Sequence, residues 1–390
     1  MSFLRAARAA LAGQCCLPRV LVAVIIILAL LSLSCSNSSN STLTRPDHNA
    51  YVTLPAMGSV LLLHINGTTG VISMGAQTPQ EEDYSPVGLA LLPSRKFLYV
   101  VNSRASTISI FALASDGTLT LSGTPTQAGS GPDAAVIDPS GKYLLVTNNY
   151  GNNVSVFSID SGTGALSEVA GSPFYANTDP SEILITPSGK FVYVTNPEIG
   201  MVTAFSFSNG VLSQVPGSPV FSGAGAFGLA VDVSEQFLYV ANPSASNPSP
   251  YETTTGNISG FNIDPGTGAL SPILGSPFTS TAGTGPTVLA VDPGGSFVYA
   301  VSEGSSFSIW CFAITPTNGQ LAAVASSPFS LTAGGLFALI DPSGSFFYIG
   351  TAAGHGIAGY TYNPSTGVPA SIAGSPFSTG TPPGKMVVSE

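Results

Sequence analysis

Four side chains in this 390-residue sequence combine reactive types with a repeated placement: Asp133, Glu182, His355 and Lys385. Asp133 and Glu182 fall at or next to equivalent positions in consecutive copies of an internal repeat. Two neighbouring carboxylates could transfer protons or hold a cation. His355 adds a group that titrates near neutral pH, and Lys385 adds a positive charge. The alternative is that all four are solvated charges at a rim, without a chemical role.

The element that must position these residues is a repeated strand, spelled Tyr-Val-Thr-Asn at residues 193–196. It recurs about every 46 to 49 residues, with one interval of about 60. Around it, each unit divides into four strands: an apolar run, the repeated strand, an alternating strand and a short strand before Gly-Ser-Pro-Phe. An Asp-Pro-Ser-Gly turn, as at residues 138–141, joins the first two strands.

This arrangement predicts an all-β fold, a seven-bladed β-propeller of four-stranded antiparallel blades over residues 50–390. A single blade cannot bury both of its faces, so the ring must close. Residues 383–388 have the pattern of a first strand with no successors, and residues 50–74 supply three strands without a first. We therefore predict that the N- and C-terminal strands share one blade. An eight-bladed ring and an open stack are the alternatives.

The first 35 residues predict export. Basic residues precede an uncharged apolar run at residues 20–34, which is short for a membrane span and typical of a signal peptide. The run ends at Cys35, in a context that resembles a bacterial lipobox, where the cysteine carries lipid. Residues 36–49 then form a polar tether. The expected location is the periplasm or outer surface, anchored to a membrane; secretion after ordinary cleavage and an uncleaved anchor are alternatives.

The composition and the absence of certain known motifs argue against several classes of function. The net charge is −10, with 10 Lys and Arg against 20 Asp and Glu, which argues against nucleic acid as a partner. Hydrophobic residues make up 44% and charged residues 8%, which argues against disorder. No phosphate loop or zinc spacing is present, so we predict no cofactor and no metal. Asp138, Asp292 and Asp341 are expected to cap turns rather than to bind calcium.

From residue 50 onward, the repeated segments resemble those of the YVTN-repeat and lactonase-like seven-bladed propellers. That group includes 6-phosphogluconolactonase, the fungal carboxymuconate lactonising enzyme and many exported proteins without an assigned activity. The resemblance implies a site with a His after the Pro that leads into an innermost strand, and with Arg and Glu from nearby blades. None of the aligned positions here is His: Val87, Asp133, Ser181, Phe227, Thr287, Leu336 and Gly384.

The predicted function is an exported binding or interaction module that uses one face of the ring for an unknown protein, glycan or envelope ligand. Its expected binding face carries Arg104, Tyr150, Glu198, Tyr251, Glu252 and Glu303. Tyr251 and Glu252 belong to an insertion at residues 242–257. The alternative is a lactonase-type hydrolase or lactonising isomerase with a rearranged site near His355, Asp133, Glu182 and Lys385. A scaffold within an envelope complex is a third possibility.

Overall fold

A computed structural model describes residues 45–79, 84–243, 256–279, 285–302 and 307–389. The described residues form 34 β-strands and two 3-10 helices, Pro55–Met57 and Pro197–Ile199. No helix among them is both long and apolar enough to cross a lipid bilayer.

The strands follow one another in groups that correspond to the repeat. The first strands are β1 (His48–Leu54), β2 (Ser59–Ile65), β3 (Ile72–Gln77), β4 (Pro86–Leu91), β5 (Phe97–Asn102), β6 (Thr107–Leu113), β7 (Leu119–Leu121), β8 (Thr126–Gln127), β9 (Pro132–Ile137), β10 (Tyr143–Asn148), β11 (Asn153–Ile159), β12 (Leu166–Glu168) and β13 (Phe174–Tyr175). The middle of the chain forms β14 (Ile183–Ile185), β15 (Phe191–Asn196), β16 (Met201–Ser208), β17 (Val211–Gln214), β18 (Val220–Phe221), β19 (Leu229–Val231), β20 (Phe237–Asn242), β21 (Asn257–Ile263), β22 (Leu270–Pro272) and β23 (Phe278–Thr279). The remainder forms β24 (Pro286–Val291), β25 (Phe297–Ser302), β26 (Ser308–Ile314), β27 (Leu321–Ala323), β28 (Phe329–Ser330), β29 (Gly335–Ile340), β30 (Phe346–Thr351), β31 (Gly356–Tyr362), β32 (Pro369–Ser371), β33 (Phe377–Ser378) and β34 (Met386–Ser389).

These strands form seven antiparallel sheets, which confirms the predicted seven-bladed propeller. Blades 1 to 6 run from β4–β8 to β29–β33, five strands each, and blade 7 combines β34 with β1, β2 and β3. In every blade the first strand along the blade pairs with the second, the second with the third and the third with the fourth. Each first strand also contacts the first strands of both neighbouring blades, so the seven first strands form a closed inner ring around the channel.

Blade 7 closes the ring as predicted. β1 pairs antiparallel with β34, with Ala50 opposite Val388 and Val52 opposite Met386. The ladder continues past the strand, because the Thr53 N–H donates to the Lys385 carbonyl at 2.9 Å. β1 begins at His48, inside the segment predicted as tether. This closure leaves no first strand without a partner, and it fixes the residues just before β34 against the second strand of the blade.

The fourth strand differs from the prediction, because it is split in two. In blade 2, β12 pairs with the end of β11 and the two-residue β13 pairs with its beginning. Pro173 lies between them and has no N–H to donate to a ladder. The Val156 N–H of β11 instead donates to the Ser172 hydroxyl at 2.9 Å. The Gly-Ser-Pro-Phe segment that ends the units of blades 2, 4 and 6 is therefore the break within the outer strand.

Aspartates cap the turns between first and second strands, as predicted. In blade 2, Asp138 Oδ1 accepts hydrogen bonds from the N–H groups of Lys142 and Tyr143, at 2.8 and 2.6 Å. Its Oδ2 accepts one from the Ser140 N–H at 3.1 Å. Asp292 and Asp341 accept the same pair of Oδ1 bonds in their own turns. Their carboxylates are thus occupied by the backbone, which explains why aspartate recurs there.

A buried tyrosine in the repeated strand links each of six blades to the next blade. The Tyr99 hydroxyl of blade 1 donates to the Gly164 carbonyl of blade 2 at 3.0 Å. Tyr348 does the same across the closure of the ring, donating to the Gly70 carbonyl of blade 7 at 2.8 Å. The remaining bonds join Tyr51 to Gly117, Tyr193 to Gly268, Tyr239 to Gly319 and Tyr299 to Gly367. Blade 2 has Leu145 at this position and forms no such bond.

Candidate active site at the channel mouth

The candidate site lies where the first strands begin. Since the strands of a blade alternate in direction, the start of every first strand and every loop from a second to a third strand share one face of the ring. We call this the mouth face and the other the opposite face. Asp133 is the second residue of β9, Glu182 directly precedes β14 and Lys385 directly precedes β34. The mouth face thus carries all three, around one end of the channel.

An ion pair spans the channel at this mouth. The Lys385 ammonium contacts Glu182 Oε1, and the two side chains are 32% and 21% exposed. Lys385 belongs to blade 7 and Glu182 to blade 3, with two blades between them on one side of the ring and three on the other. The pair therefore reaches across the channel instead of linking adjacent blades. Partial burial makes such a pair stronger than one on an open surface.

Asp133 lies beside this ion pair. Its Oδ2 accepts a hydrogen bond from the Ser181 hydroxyl at 2.7 Å. Burial raises the pKa of Asp133 above its ordinary value; Glu182 and Asp179 raise it further, while the Ser181 hydrogen bond and Lys385 act in the opposite direction. We refer to Asp133, Ser181, Glu182 and Lys385 as the mouth cluster. It combines a carboxyl group of increased proton affinity with a cation held within its electrostatic reach.

Threonines of the repeated strands hold the backbone of this cluster. The Thr195 hydroxyl accepts the Glu182 N–H at 3.2 Å, and the Thr53 hydroxyl accepts the Lys385 N–H at 2.8 Å. In blade 2, the Thr147 hydroxyl donates to the Ser181 carbonyl at 2.7 Å. The repeated strand has threonine at this position in blades 7, 2 and 3 alone, and the other four blades have Val, Ala, Val and Gly. The three blades with this threonine are those that supply the charged members of the cluster.

Asp179 is a site residue that sequence reasoning missed. It lies in the connection from blade 2 to blade 3 with a φ of +56°, and its Oδ1 accepts a hydrogen bond from the Asn149 side chain. Its Oδ2 accepts the Glu198 N–H at 3.3 Å, and its own N–H donates to Asn152 Oδ1 at 3.1 Å. Asp179 thus joins two mouth-face loops and adds negative charge near Asp133. The sequence indicates Asp179 only indirectly, through an Asn-rich turn at residues 149–153 and an aspartate in the connection to the next blade.

His355 stays apart from the mouth cluster. It lies in the exposed turn between β30 and β31 with a φ of +46°. Its carbonyl accepts hydrogen bonds from the N–H and the hydroxyl of Thr379, at 2.8 and 3.0 Å. Within the described part of the chain, its imidazole makes no hydrogen bond or ion pair with the cluster. Of the four residues first singled out, the structure brings together Asp133, Glu182 and Lys385.

The predicted binding-face residues that the structure describes all lie in mouth-face loops. Arg104 is in the turn between β5 and β6, and Tyr150 is 80% exposed in the turn between β10 and β11. Glu198 lies in the exposed 3-10 helix after β15. Tyr251, Glu252, Glu303 and the predicted lipidation site Cys35 lie outside the described residues.

Within the described ranges, no group of three or more His, Cys, Asp and Glu side chains is placed to hold a metal ion.

The comparison of the sequence with protein families decides the family. Residues 49–176 and 254–382, together more than half of the chain, match the family described as Lactonase, 7-bladed beta-propeller. The chain belongs to this lactonase family. A search of curated proteins found no match. The expectation of a lactonase-like propeller is thereby confirmed, whereas a binding module gains no support from the family match.

Solved structures share the fold of this lactonase-family chain. A protein from Bacteroides uniformis, provisionally described as a 6-phosphogluconolactonase, has 20% identity and a TM-score of 0.72, covering 88% of this chain and 100% of its own. The periplasmic gluconolactonase of Pseudomonas aeruginosa has 18% identity and a TM-score of 0.72, covering 88% of this chain and 99% of its own. At such identities the similarity shows the fold alone, so any activity must be argued from the mouth cluster.

Proposed function

We propose that this protein is a lactone hydrolase that works at the channel mouth through Asp133 and Lys385. The observation that carries the proposal is the Lys385–Glu182 ion pair across the channel, next to an Asp133 carboxyl group of raised pKa. Membership of the lactonase family supports the proposal at the level of the family. Asp133 and Ser181 occupy two of the positions where the enzymes of the group are expected to place histidine, so the site is a rearranged one.

The proposed reaction needs a base, a water molecule and a stabiliser of negative charge. The Asp133 carboxylate takes a proton from water while the water oxygen bonds to the lactone carbonyl carbon. The Lys385 ammonium stabilises the resulting oxyanion. The bond between the carbonyl carbon and the ring oxygen then breaks, and the ring oxygen takes the proton from Asp133. The product is the open hydroxy acid, and the Asp133 carboxylate is regenerated. Glu182 acts as a positioning residue for Lys385.

The test is hydrolysis of a panel of sugar lactones, followed as acid release above the spontaneous rate. We expect Asp133→Asn and Lys385→Met to lower kcat/KM by about 100-fold or more, since each removes one partner of the chemical step. Lys190→Met is the matched control, because Lys190 lies in the opposite-face turn before β15. It should leave kcat/KM within about twofold of the starting value.

Three results would argue against this assignment. Hydrolysis that survives Asp133→Asn would remove the proposed base. If His355→Ala lost hydrolysis while Asp133→Asn remained active, the active site would be assigned to the turn between β30 and β31 of blade 6 instead. Saturable binding of a sugar or sugar acid without any turnover would restore the binding module as the better description.

We also propose that the chain is exported and that Cys35 carries its membrane anchor. The support is the basic segment and apolar run before Cys35 in the sequence. The mass of the mature N-terminus tests this directly. A diacylated N-terminal cysteine is expected, and a chain that begins elsewhere without lipid would contradict it.

A further inference from the structure

Positive charges are unevenly distributed between the two faces of the ring. Four described lysines and arginines lie in opposite-face turns between first and second strands: Arg95, Lys96, Lys142 and Lys190. Among the described residues, the mouth face carries Arg104 and Lys385. An anionic substrate would therefore meet few cations at the proposed active site.

The mouth face is instead acidic. Within the described residues it carries Asp133, Asp179, Glu182 and Glu198. Lys385 already contacts Glu182, so its charge is largely balanced within the cluster. If Lys385 left Glu182 for a permanent anion on the substrate, Glu182 would lose its partner next to Asp133, and two half-buried carboxylates would repel each other. The one cation of the cluster therefore serves Glu182 and the transient oxyanion, and none is left for a phosphate or carboxylate group of the substrate.

On the basis of the proposed lactonase function, we propose that the substrate is an uncharged sugar lactone, without a phosphate or carboxylate group. The carboxylates and amides around the mouth, including Asp179 and the Asn149 side chain that donates to it, are acceptors and donors suited to sugar hydroxyls. A phosphate dianion at the same place would lie beside Asp133 and Asp179, on the face that also carries Glu198, without an unbalanced cation from the cluster. Like charges placed together at a binding site weaken binding strongly.

The experiment compares glucono-1,5-lactone with its 6-phosphate at pH 7 and low ionic strength, using initial rates corrected for spontaneous hydrolysis. We expect kcat/KM for the neutral lactone to exceed that for the phosphorylated lactone by about tenfold or more. Added salt should narrow the difference, because it screens the repulsion between exposed charges. A ratio that favours the phosphorylated lactone would overturn the proposed substrate class while leaving the lactonase function intact.

A charge-reversal variant makes the test specific to the mouth. Glu198→Lys should raise the ratio of phosphorylated to neutral turnover by about tenfold, because it places a cation on the mouth face. The matched control is Glu168→Lys, since Glu168 is exposed on β12, in the outer part of blade 2. An equal change in both variants would contradict the inference. If neither lactone, nor any other of the panel, is hydrolysed, the proposed function fails and this inference fails with it.

Discussion

At the scale of single residues, the proton affinity of Asp133 is a balance between burial and four named neighbours. Burial is the largest influence and raises its pKa, and Glu182 and Asp179 act in the same direction. The Ser181 hydroxyl and Lys385 favour the ionised form and lower it. A base needs to be ionised to accept a proton, so this balance sets the pH below which the proposed reaction slows down.

This balance predicts the acid limb of the pH–rate profile. We expect kcat/KM to fall on acidification at a pH above the ordinary aspartate pKa of about 3.9, since a raised pKa means protonation at higher pH. Ser181→Ala removes a hydrogen bond that stabilises the carboxylate, so the limb should move to higher pH. The measurement is kcat/KM against pH for both proteins.

An exposed serine provides the control for that shift. Ser213→Ala, on the outer strand β17, should leave the acid limb where it is. A limb that stays in place in Ser181→Ala, or moves to lower pH, would show that Asp133 is not the group that titrates. A merely structural role of Ser181 would lower stability without moving the limb.

Sequence alone predicted part of this residue-scale picture. The repeat aligns Asp133, Glu182 and Lys385 at the start of first strands, and such alignment needs no knowledge of side-chain contacts. The pairing of Lys385 with Glu182 could not be predicted, because it depends on the width of the channel. Asp179 was missed since its role depends on a positive φ and on Asn149 and Asn152 from another loop. The sequence shows that only three blades have a threonine at this position, namely Thr53, Thr147 and Thr195. It does not show that their hydroxyls bond to the backbone of the mouth cluster.

At the scale of elements, blades are joined by apolar packing and by the tyrosine hydroxyl of the repeated strand. The cluster between blades 1 and 2 packs Tyr99, Val101 and Ile108 against Leu144 and Phe157. Within this cluster, the Tyr99 hydroxyl donates a hydrogen bond to a backbone carbonyl of the next blade. The sequence predicted the strands through their alternation, but the partner of each tyrosine lies in the following repeat and left no local signal. The sequence also did not predict the split of the outer strand, because β13 has only two residues and is too short to show an alternating pattern.

These bonds predict a measurable cost when a hydroxyl is removed. Tyr348→Phe should lower the free energy of unfolding by about 1–2 kcal/mol, because the buried Gly70 carbonyl loses its donor while the ring still packs. Urea unfolding followed by fluorescence measures this. Tyr143→Phe is the matched control: Tyr143 packs edge-to-face on Phe207 and is not among the six linking tyrosines. It should change the free energy by less than about 0.5 kcal/mol. Equal effects in the two variants would refute a specific role of the inter-blade bond.

At the scale of the whole molecule, one short strand completes the ring. β34 places Met386, which is 6% exposed, into the cluster that joins blades 6 and 7. It also provides the ladder partner for β1, whose inner edge would otherwise be open. Closure was predictable because the two half-blades are complementary in sequence. The contacts that secure it, between Thr53 and Lys385 and between Tyr348 and Gly70, were not.

Removal of the last strand should therefore destabilise the entire ring. A chain that ends at residue 382 is expected to lose about 3 kcal/mol or more of unfolding free energy, since it exposes apolar surface and an unpaired edge. Removing Glu390 alone is the control, because β34 ends at Ser389. Urea midpoints of the three chains provide the comparison. An unchanged midpoint in the truncated chain would mean that β34 does not secure the ring.

The joining of β1 to β34 also dictates an order of events in the cell. A ribosome releases β1 to β3 first, yet the partner of β1 leaves the tunnel only after the strands of blades 1 to 6. Blades 1 to 6 can each assemble as their own segment emerges, while β1 to β3 must wait as an incomplete sheet. During that interval the unpaired edge of β1 is open to other chains, so the finished ring depends on the nascent protein being kept from them until β34 arrives.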